Sequence, residues 1–485
     1  MSLKLPVTAI FDIGKTNKKL LFFDKSLSVV HSSNVVFDEK QDDDSFPCDD
    51  LVGLTKWMLN EIDKIVSSKE FEIHAINFSG YGATLVHLGS DGKPVTPLYN
   101  YLKPYPDDLL QEFYNKYGGQ KQFSLDTASP PLGMLNSGLQ LYWLKRRKPH
   151  LFQQIKTTLH FPQYLSFLLT RQTASEKTSL GCHTGLWNFR EHDYHQWLDD
   201  EDLLKMLPEI QPVSKCYSVK IRNHQINTGI GIHDSSAALI PYLNGFDEPF
   251  IQLSTGTWSI AMNPFTRDEL TYQELKRDYL HYLNIYGKPV KASRFLLGGE
   301  YSHQLKKMGA YFGRSRYETD CDLDPAHIQK LADDNSAEKK LILEKGNHSG
   351  PFQTKNKKEW DLSRFASYEE AVHQCLLDLV AIQVESIRIA EGDKVTGQII
   401  VTGGFAKNRF FCRLLATMLP DKKIYTAGLK EASALGAALL VHDKQTDTRQ
   451  LKEMLALTLQ KPFENLHIEG YFWKPNGGKT GEQAN

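Results

Sequence analysis

Two stretches of this chain repeat one pattern about half a chain apart. Residues 7–11 are an apolar run, Asp12-Ile13-Gly14-Lys15-Thr16-Asn17 breaks it, and residues 19–23 resume it. Residues 250–253 are again apolar, Ser254-Thr255-Gly256-Thr257 breaks them, and residues 259–262 resume. An apolar run broken by a glycine-bearing turn and then resumed predicts a β-hairpin. A turn whose backbone N–H groups converge beside hydroxyls can hold phosphate oxygens. The repeat therefore predicts an internal duplication, with each half opening on a phosphate-type hairpin. At 485 residues the chain is long for one core, so two domains are expected, over residues 1–245 and 246–470.

The rest of the chain supplies the elements that an α/β domain needs. A strand around 28–37 completes a meander after the first hairpin, and 40–50 reads as a loop. Leu51, Leu54, Met58, Ile62 and Ile65 then recur at helical spacing. Residues 73–78 form a strand that runs into Ser79-Gly80-Tyr81-Gly82-Ala83, and Asp91-Gly92 marks a second hairpin. The pattern is mostly helical over 107–207, loop-like over 173–189, and unassigned over 312–358. Ser367-Tyr368-Glu369-Glu370 opens a helix that stops at Gly392. A buried-type strand over 398–402 then reaches Gly403-Gly404, with a helix through Phe411, Leu414, Leu415 and Met418 beyond. A helix of small residues runs from Glu431 to Leu440, and 471–485 reads as a flexible tail.

Composition excludes several function classes. The chain is 41% hydrophobic and 24% charged with a net charge of −1, which gives no footing for nucleic acid or acidic lipid. Its dense basic run, Lys145-Arg146-Arg147-Lys148, precedes Pro149 and reads as a solvent-facing helix end. No apolar run approaches the ~20 residues of a membrane span. The first residues lack a signal-peptide layout. Six scattered cysteines without a Cys-x-x-Cys pair read as reduced thiols, so a cytoplasmic location is expected.

Four places could carry chemistry, and each has a plainer reading. Asp12, at a strand end before Gly14, could serve a Mg²⁺ ion or merely form the turn. Thr255-Gly256-Thr257 could cradle phosphate or be an ordinary hairpin tip. Gly403-Gly404, between strand and helix, could admit a nucleotide or simply tighten the turn; neither a dinucleotide fingerprint nor a Walker lysine occurs. Asp234 could accept a hydroxyl proton, with His233 bonding the substrate, or could cap the helix that follows.

The order of these places, with these residues, resembles the FGGY carbohydrate kinases. Leu253-Ser-Thr-Gly-Thr-Trp-Ser259 and His233-Asp234-Ser-Ser-Ala-Ala are most similar to the L-rhamnulokinase branch. The resemblance covers nearly the whole chain. It implies two actin-like, ribonuclease-H-like ATPase domains with an interdomain cleft. By resemblance Asp12 serves Mg²⁺, and Gly14, Thr16, Thr255, Gly256 and Thr257 bind the ATP phosphates. Gly403, Gly404 and Asn408, followed by Glu431-Ala-Ser-Ala-Leu-Gly436, match the adenosine region. Asp234 is the catalytic base, and Gly82, Ala83 and His233 line the sugar pocket.

The implied reaction is transfer of the γ-phosphate of ATP to a ketose, at O1 of L-rhamnulose or L-fuculose. A pentulose such as D-xylulose, and a non-catalytic sugar or ATP sensor, are the alternatives. A small-molecule ketose is the expected partner, with a homodimer left open. The chain departs from the family in Lys15, Asn17 and Lys18 of the first turn, and in Cys412, where an amide is expected. An Asn-x-Gly-Gly stretch is replaced by Asn284-Ile285-Tyr286-Gly287.

Overall fold

The computed structural model describes residues 4–314, 322–354, 358–442, 447–468 and 470–473. They form two compact units. The first comprises the chain up to Phe246 with residues 281–289 and 431–451, and the second comprises the remainder. The units thus depart from a single division after residue 245, because two later segments pack with the first half.

In the first unit the hairpin is β1 (Leu5–Ile13) and β2 (Lys18–Phe23), antiparallel, with β3 (Val29–Val35) outside β2. On the other side β1 runs parallel to β4 (Phe71–Gly80). Beyond it come β5 (Cys216–Ile221), β6 (His224–Gly229) and the short β7 (Ile232–His233), in the order β5-β6-β4-β1-β2-β3 with β7 also on β4. Register does the positioning. Asp12 lies opposite Ser79, and His233 lies opposite Gly80, so three parallel strands end together. The crevice beyond the carboxyl ends of parallel strands is where open α/β sheets bind ligands.

Helix α1 (Leu51–Val66) covers this sheet and buries Leu54, Met58 and Ile62 with Phe11 and Phe78, as its spacing predicts. Its Asp50 cap accepts from the Gly53 N–H at 2.8 Å. Burying each such side chain contributes about 1.5–3 kcal/mol, so α1 is held mainly by this face. The hairpin expected at Asp91-Gly92 is present but short, closed by an antiparallel bridge from Leu88 to Pro94 and by the Val95 N–H on the His87 carbonyl at 2.9 Å. The strand before it, Leu85–Leu88, also pairs with Thr157–His160. Nor does the basic run simply face solvent. Lys145 and Arg146 pair with the nearly buried Glu201, Arg147 with Asp108, and Lys148 with Asp43 and Asp44.

The second unit repeats the scheme. Its hairpin is β8 (Phe250–Thr255) and β9 (Ser259–Asn263), antiparallel. With β10 (Tyr279–Leu283), β11 (Pro289–Phe295), β12 (Gln398–Gly403), β13 (Lys423–Thr426) and β14 (Thr458–Gln460), the order is β10-β11-β9-β8-β12-β13-β14. As in the first unit, a later strand, here β12, runs parallel to the hairpin's first member, whereas the second member pairs with β11 and not with the next strand in sequence. Helix α2 (Tyr368–Glu391) opens at Ser367, whose hydroxyl accepts from the Glu370 N–H at 3.2 Å.

The stretch 312–358 contains a helix at Pro325–Asp334, capped by Asp324; residues 315–321 and 355–357 lie outside the described residues. The expected tail begins as core. The Tyr471 hydroxyl donates to Asp378 at 2.8 Å, and the buried Trp473 donates from its indole to the Leu341 carbonyl at 2.8 Å. Residues 474–485 lie outside the described residues. Among the described residues no helix is long and apolar enough to cross a membrane.

Candidate active site

At the carboxyl edge of the first sheet, Asp12 accepts from the Ser433 hydroxyl at 2.9 Å. Burial pushes its carboxyl up to about 6, against the pull of that hydrogen bond, and the charge of Asp234 adds to the push. Asp234 opens the helix Asp234–Gly245 without capping it, since His233 holds the cap position and no side chain makes a cap bond. Its Oδ1 accepts from the Ser235 N–H at 2.6 Å, while Oδ2 takes no hydrogen bond from the described residues. The side chain keeps 31% of its surface open, yet desolvation pushes its carboxyl up to about 6. Two desolvated carboxylates at one sheet edge, one of them with an oxygen that takes no hydrogen bond from the described residues, have the chemistry a proton acceptor needs.

His233 is buried, and burial pushes its imidazole down to about 3, so it is neutral. Nε2 lies 3.1 Å from Cys182 Sγ and 3.3 Å from Asp234 Oδ1, and Nδ1 lies 3.2 Å from Ser236 Oγ. Gly82 is pressed against this group: a Cβ there would fall 2.5 Å from Cys182 Sγ and 3.0 Å from the imidazole. Ala83 follows in the left-handed region at φ 58°, a strained conformation for a residue with a Cβ. Gly82, Ala83, His233 and Asp234 therefore share one edge of the first unit, along with Asp12.

The first turn is closed by the Gly14 N–H on the Asn17 carbonyl at 3.0 Å, with Thr16 and Asn17 exposed. Its lysines neither reach outward nor stand free. Lys15 pairs with Asp49 and lies 5.5 Å over the Tyr101 ring and 5.8 Å over that of Tyr81. Lys18 is buried, donating to the Lys15 carbonyl at 2.7 Å and reaching Asp49 at 3.4 Å. Lys19 pairs with Glu431 at 2.8 Å. Asp49 thus organises the turn from within a stretch that reads as featureless loop, which is why sequence reasoning missed it.

The second unit holds a cavity of about 320 Å³ lined by Gly256, Thr257, Gly298, Tyr301, Gly404 and Asn408, with the Phe405 ring 5.7 Å from that of Tyr301. Gly403 has φ 81°, and a Cβ on it would sit 1.9 Å from the Thr255 carbonyl, so β8 and β12 meet there only through glycine. The Thr255 hydroxyl is spent on structure, donating to the Thr402 carbonyl and accepting from the Phe405 N–H at 3.0 Å. Gly256 and Thr257 are exposed at the cavity. Asn408 caps the helix Arg409–Met418 through the Phe411 N–H at 2.9 Å. Cys412, in place of an amide, is buried with its thiol on the Phe405 carbonyl at 3.3 Å.

Gly298-Gly299 was not singled out from sequence. A Cβ on Gly298 would meet the Gly256 carbonyl at 2.1 Å, so this glycine pair, in the first turn of the helix Leu297–Tyr311, abuts the second turn. Asn284-Ile285-Tyr286-Gly287 packs instead with the first unit. Ser433 and Gly436, matched to the adenosine region, also belong to the first unit. Ser433 bonds Asp12, and Gly436 backs onto the Ala237 carbonyl.

The donor set at Asp12 fits a hard divalent ion that takes one or two carboxylates and draws its other ligands from water and phosphate. The trio Asp42, Asp43 and Asp44 also brings carboxylates close, but each already pairs with Lys103 or Lys148.

Residues 7–239 match the FGGY family of carbohydrate kinases, N-terminal domain, and residues 247–450 match the carbohydrate kinase FGGY, C-terminal domain. A rhamnulokinase of Oceanobacillus iheyensis is 24% identical over 84% of this chain and 88% of its own. One of Halalkalibacterium halodurans is 24% identical over 51% of this chain, and the chain spans about half of it, 52%. The crystal structure of a carbohydrate kinase from Novosphingobium aromaticivorans superposes with a TM-score of 0.77 at 24% identity, covering 96% of each chain.

Proposed function

Because the chain belongs to the FGGY family of carbohydrate kinases, we propose that it transfers the γ-phosphate of ATP to a hydroxyl of a ketose. The observation that carries the reading is Asp234, a desolvated carboxylate with an unbonded oxygen beside a buried, neutral imidazole. The acceptor hydroxyl gives its proton to Asp234 as its oxygen forms the new bond to the γ-phosphorus. The bond from that phosphorus to the β,γ-bridging oxygen breaks, and ADP leaves. His233 and the backbone at Gly82-Ala83 hold the sugar. In the second unit Gly256 and Thr257 offer the phosphates backbone N–H groups, and Tyr301, Gly404 and Asn408 line the adenosine end. Mg²⁺ held near Asp12 would neutralise charge on the phosphates. Gly14 and Thr16 complete the phosphate contacts from the first turn.

For the acceptor, a rhamnulose is favoured by the rhamnulokinase names of these two relatives, and phosphorylation at its O1, or at O1 of L-fuculose, rests on the motif resemblance alone. A coupled ADP-release assay with Mg-ATP against L-rhamnulose, L-fuculose, D-xylulose and L-ribulose tests the reading. A signal that depends on one 6-deoxyketose supports it. A signal only with a pentulose moves the substrate, and ATP binding without turnover on any of the four overturns the reading.

A further inference from the structure

The hydrogen-bond chain behind Asp234 has a direction. The Ser236 hydroxyl lies 3.1 Å from the Leu283 carbonyl and 3.2 Å from His233 Nδ1. A carbonyl oxygen can only accept, so the single hydroxyl proton of Ser236 goes to Leu283. What Ser236 then offers His233 is a lone pair, and Nδ1 must carry the imidazole proton. A neutral imidazole has one N–H, so Nε2 is left bare. Nε2 lies 3.1 Å from Cys182 Sγ, whose thiol can donate to it, and 3.3 Å from Asp234 Oδ1. His233, Cys182 and Ser236 are all buried, so water does not substitute for these partners.

We propose that Ser236, through the Leu283 carbonyl, locks His233 as its Nδ1–H tautomer, so that Nε2 carries no proton and gives no hydrogen bond to the Asp234 carboxylate 3.3 Å away. The inference rests on the reading of Asp234 as the base. With Nε2 taking the Cys182 thiol instead, the carboxylate gains no stabilisation from the imidazole and keeps its strength as a base. The other tautomer would donate to the carboxylate and weaken the base. Ser236 is therefore a positioning residue, acting on the chemistry through His233.

Histidine nitrogen-15 NMR on the full chain, with His233 assigned by its loss in His233→Gln, reads the tautomer directly. The wild-type spectrum should show Nδ1 protonated and Nε2 bare. In Ser236→Ala the tautomer should switch and kcat fall by roughly tenfold, with the sugar KM changed by less than about twofold. Ser236→Thr, which keeps the hydroxyl, should restore both. A protonated Nε2 in the wild-type protein overturns the proposal without any variant having to fold. So does a Ser236→Ala protein in which tautomer and kcat are unchanged, or in which only KM rises. An active Asp234→Asn enzyme would instead remove the base assignment, whatever the spectrum shows.

Discussion

At the scale of single residues, the two carboxylates of the first unit set the pH behaviour. Asp12 and Asp234 are each pushed up to about 6 by burial. A base works only when deprotonated, so kcat/KM should hold above this value and decline as pH falls through it. A profile flat from pH 7 to pH 5 would contradict the assignment. Stability runs the other way. Between the ordinary carboxylate range and about 6 the folded protein binds more protons than the unfolded chain, so these groups make it less stable as pH rises across that window. Gly82 gives a second residue-scale test. Gly82→Ala drives a methyl into Cys182 and His233, an overpacking of about 1–3 kcal/mol. The KM for sugar should rise while ADP affinity, measured by calorimetry, is unchanged. Asp12 and Asp234 were legible through their order along the chain rather than singly, because an acid in a turn or at a helix start is common. The fate of Lys15 and Lys18 was not, because Asp49, the group that claims them, is separated from them by a whole meander.

At the scale of elements, both hairpins and both small-residue turns follow from local pattern. The β8–β12 contact adds a constraint that only packing shows. Gly403→Ala combines a backbone at φ 81° and ψ −150°, a region open essentially to glycine, with a methyl in the Thr255 carbonyl. ATP binding should be lost together with several degrees of Tm. Full nucleotide affinity in this variant would mean that the turn is not part of the site. The small residues over 432–438 mark a helix in the sequence, but not what that helix meets. Gly436 meets the Ala237 carbonyl on the helix that Asp234 opens, some two hundred residues earlier. Periodicity within one helix carries no information about which distant helix will fit it.

At the scale of the whole molecule, the repeat was legible from the hairpins alone, and both sheets set a later strand parallel to the first member of that hairpin. Chain continuity misled where late segments return to the first unit, and where Tyr471 and Trp473 enter the core although the composition around them reads as tail. The basic run likewise looked like a solvated helix end, and became a cage when Glu201 folded into it. Burial raises the Glu201 carboxyl, but hydrogen bonds from Lys116 and Lys145 outweigh it and hold the group down at about 2. Its contribution is therefore complete above the ordinary carboxylate range and lost as pH falls toward 2. Glu201→Gln should lower Tm at pH 7 more than at pH 3, and an equal drop at both would show that packing rather than charge is at work.

In the proposed reaction Asp234 of the first unit takes the proton, and residues of the second unit bind the nucleotide. Steady-state turnover of Asp234→Asn with the best ketose, paired with ADP binding by calorimetry, tests this most directly. The account predicts turnover reduced at least about 10²-fold, with ADP bound as tightly as by the wild-type protein. Retained turnover would contradict the assignment of the base, and lost ADP binding would contradict the division of labour between the two units.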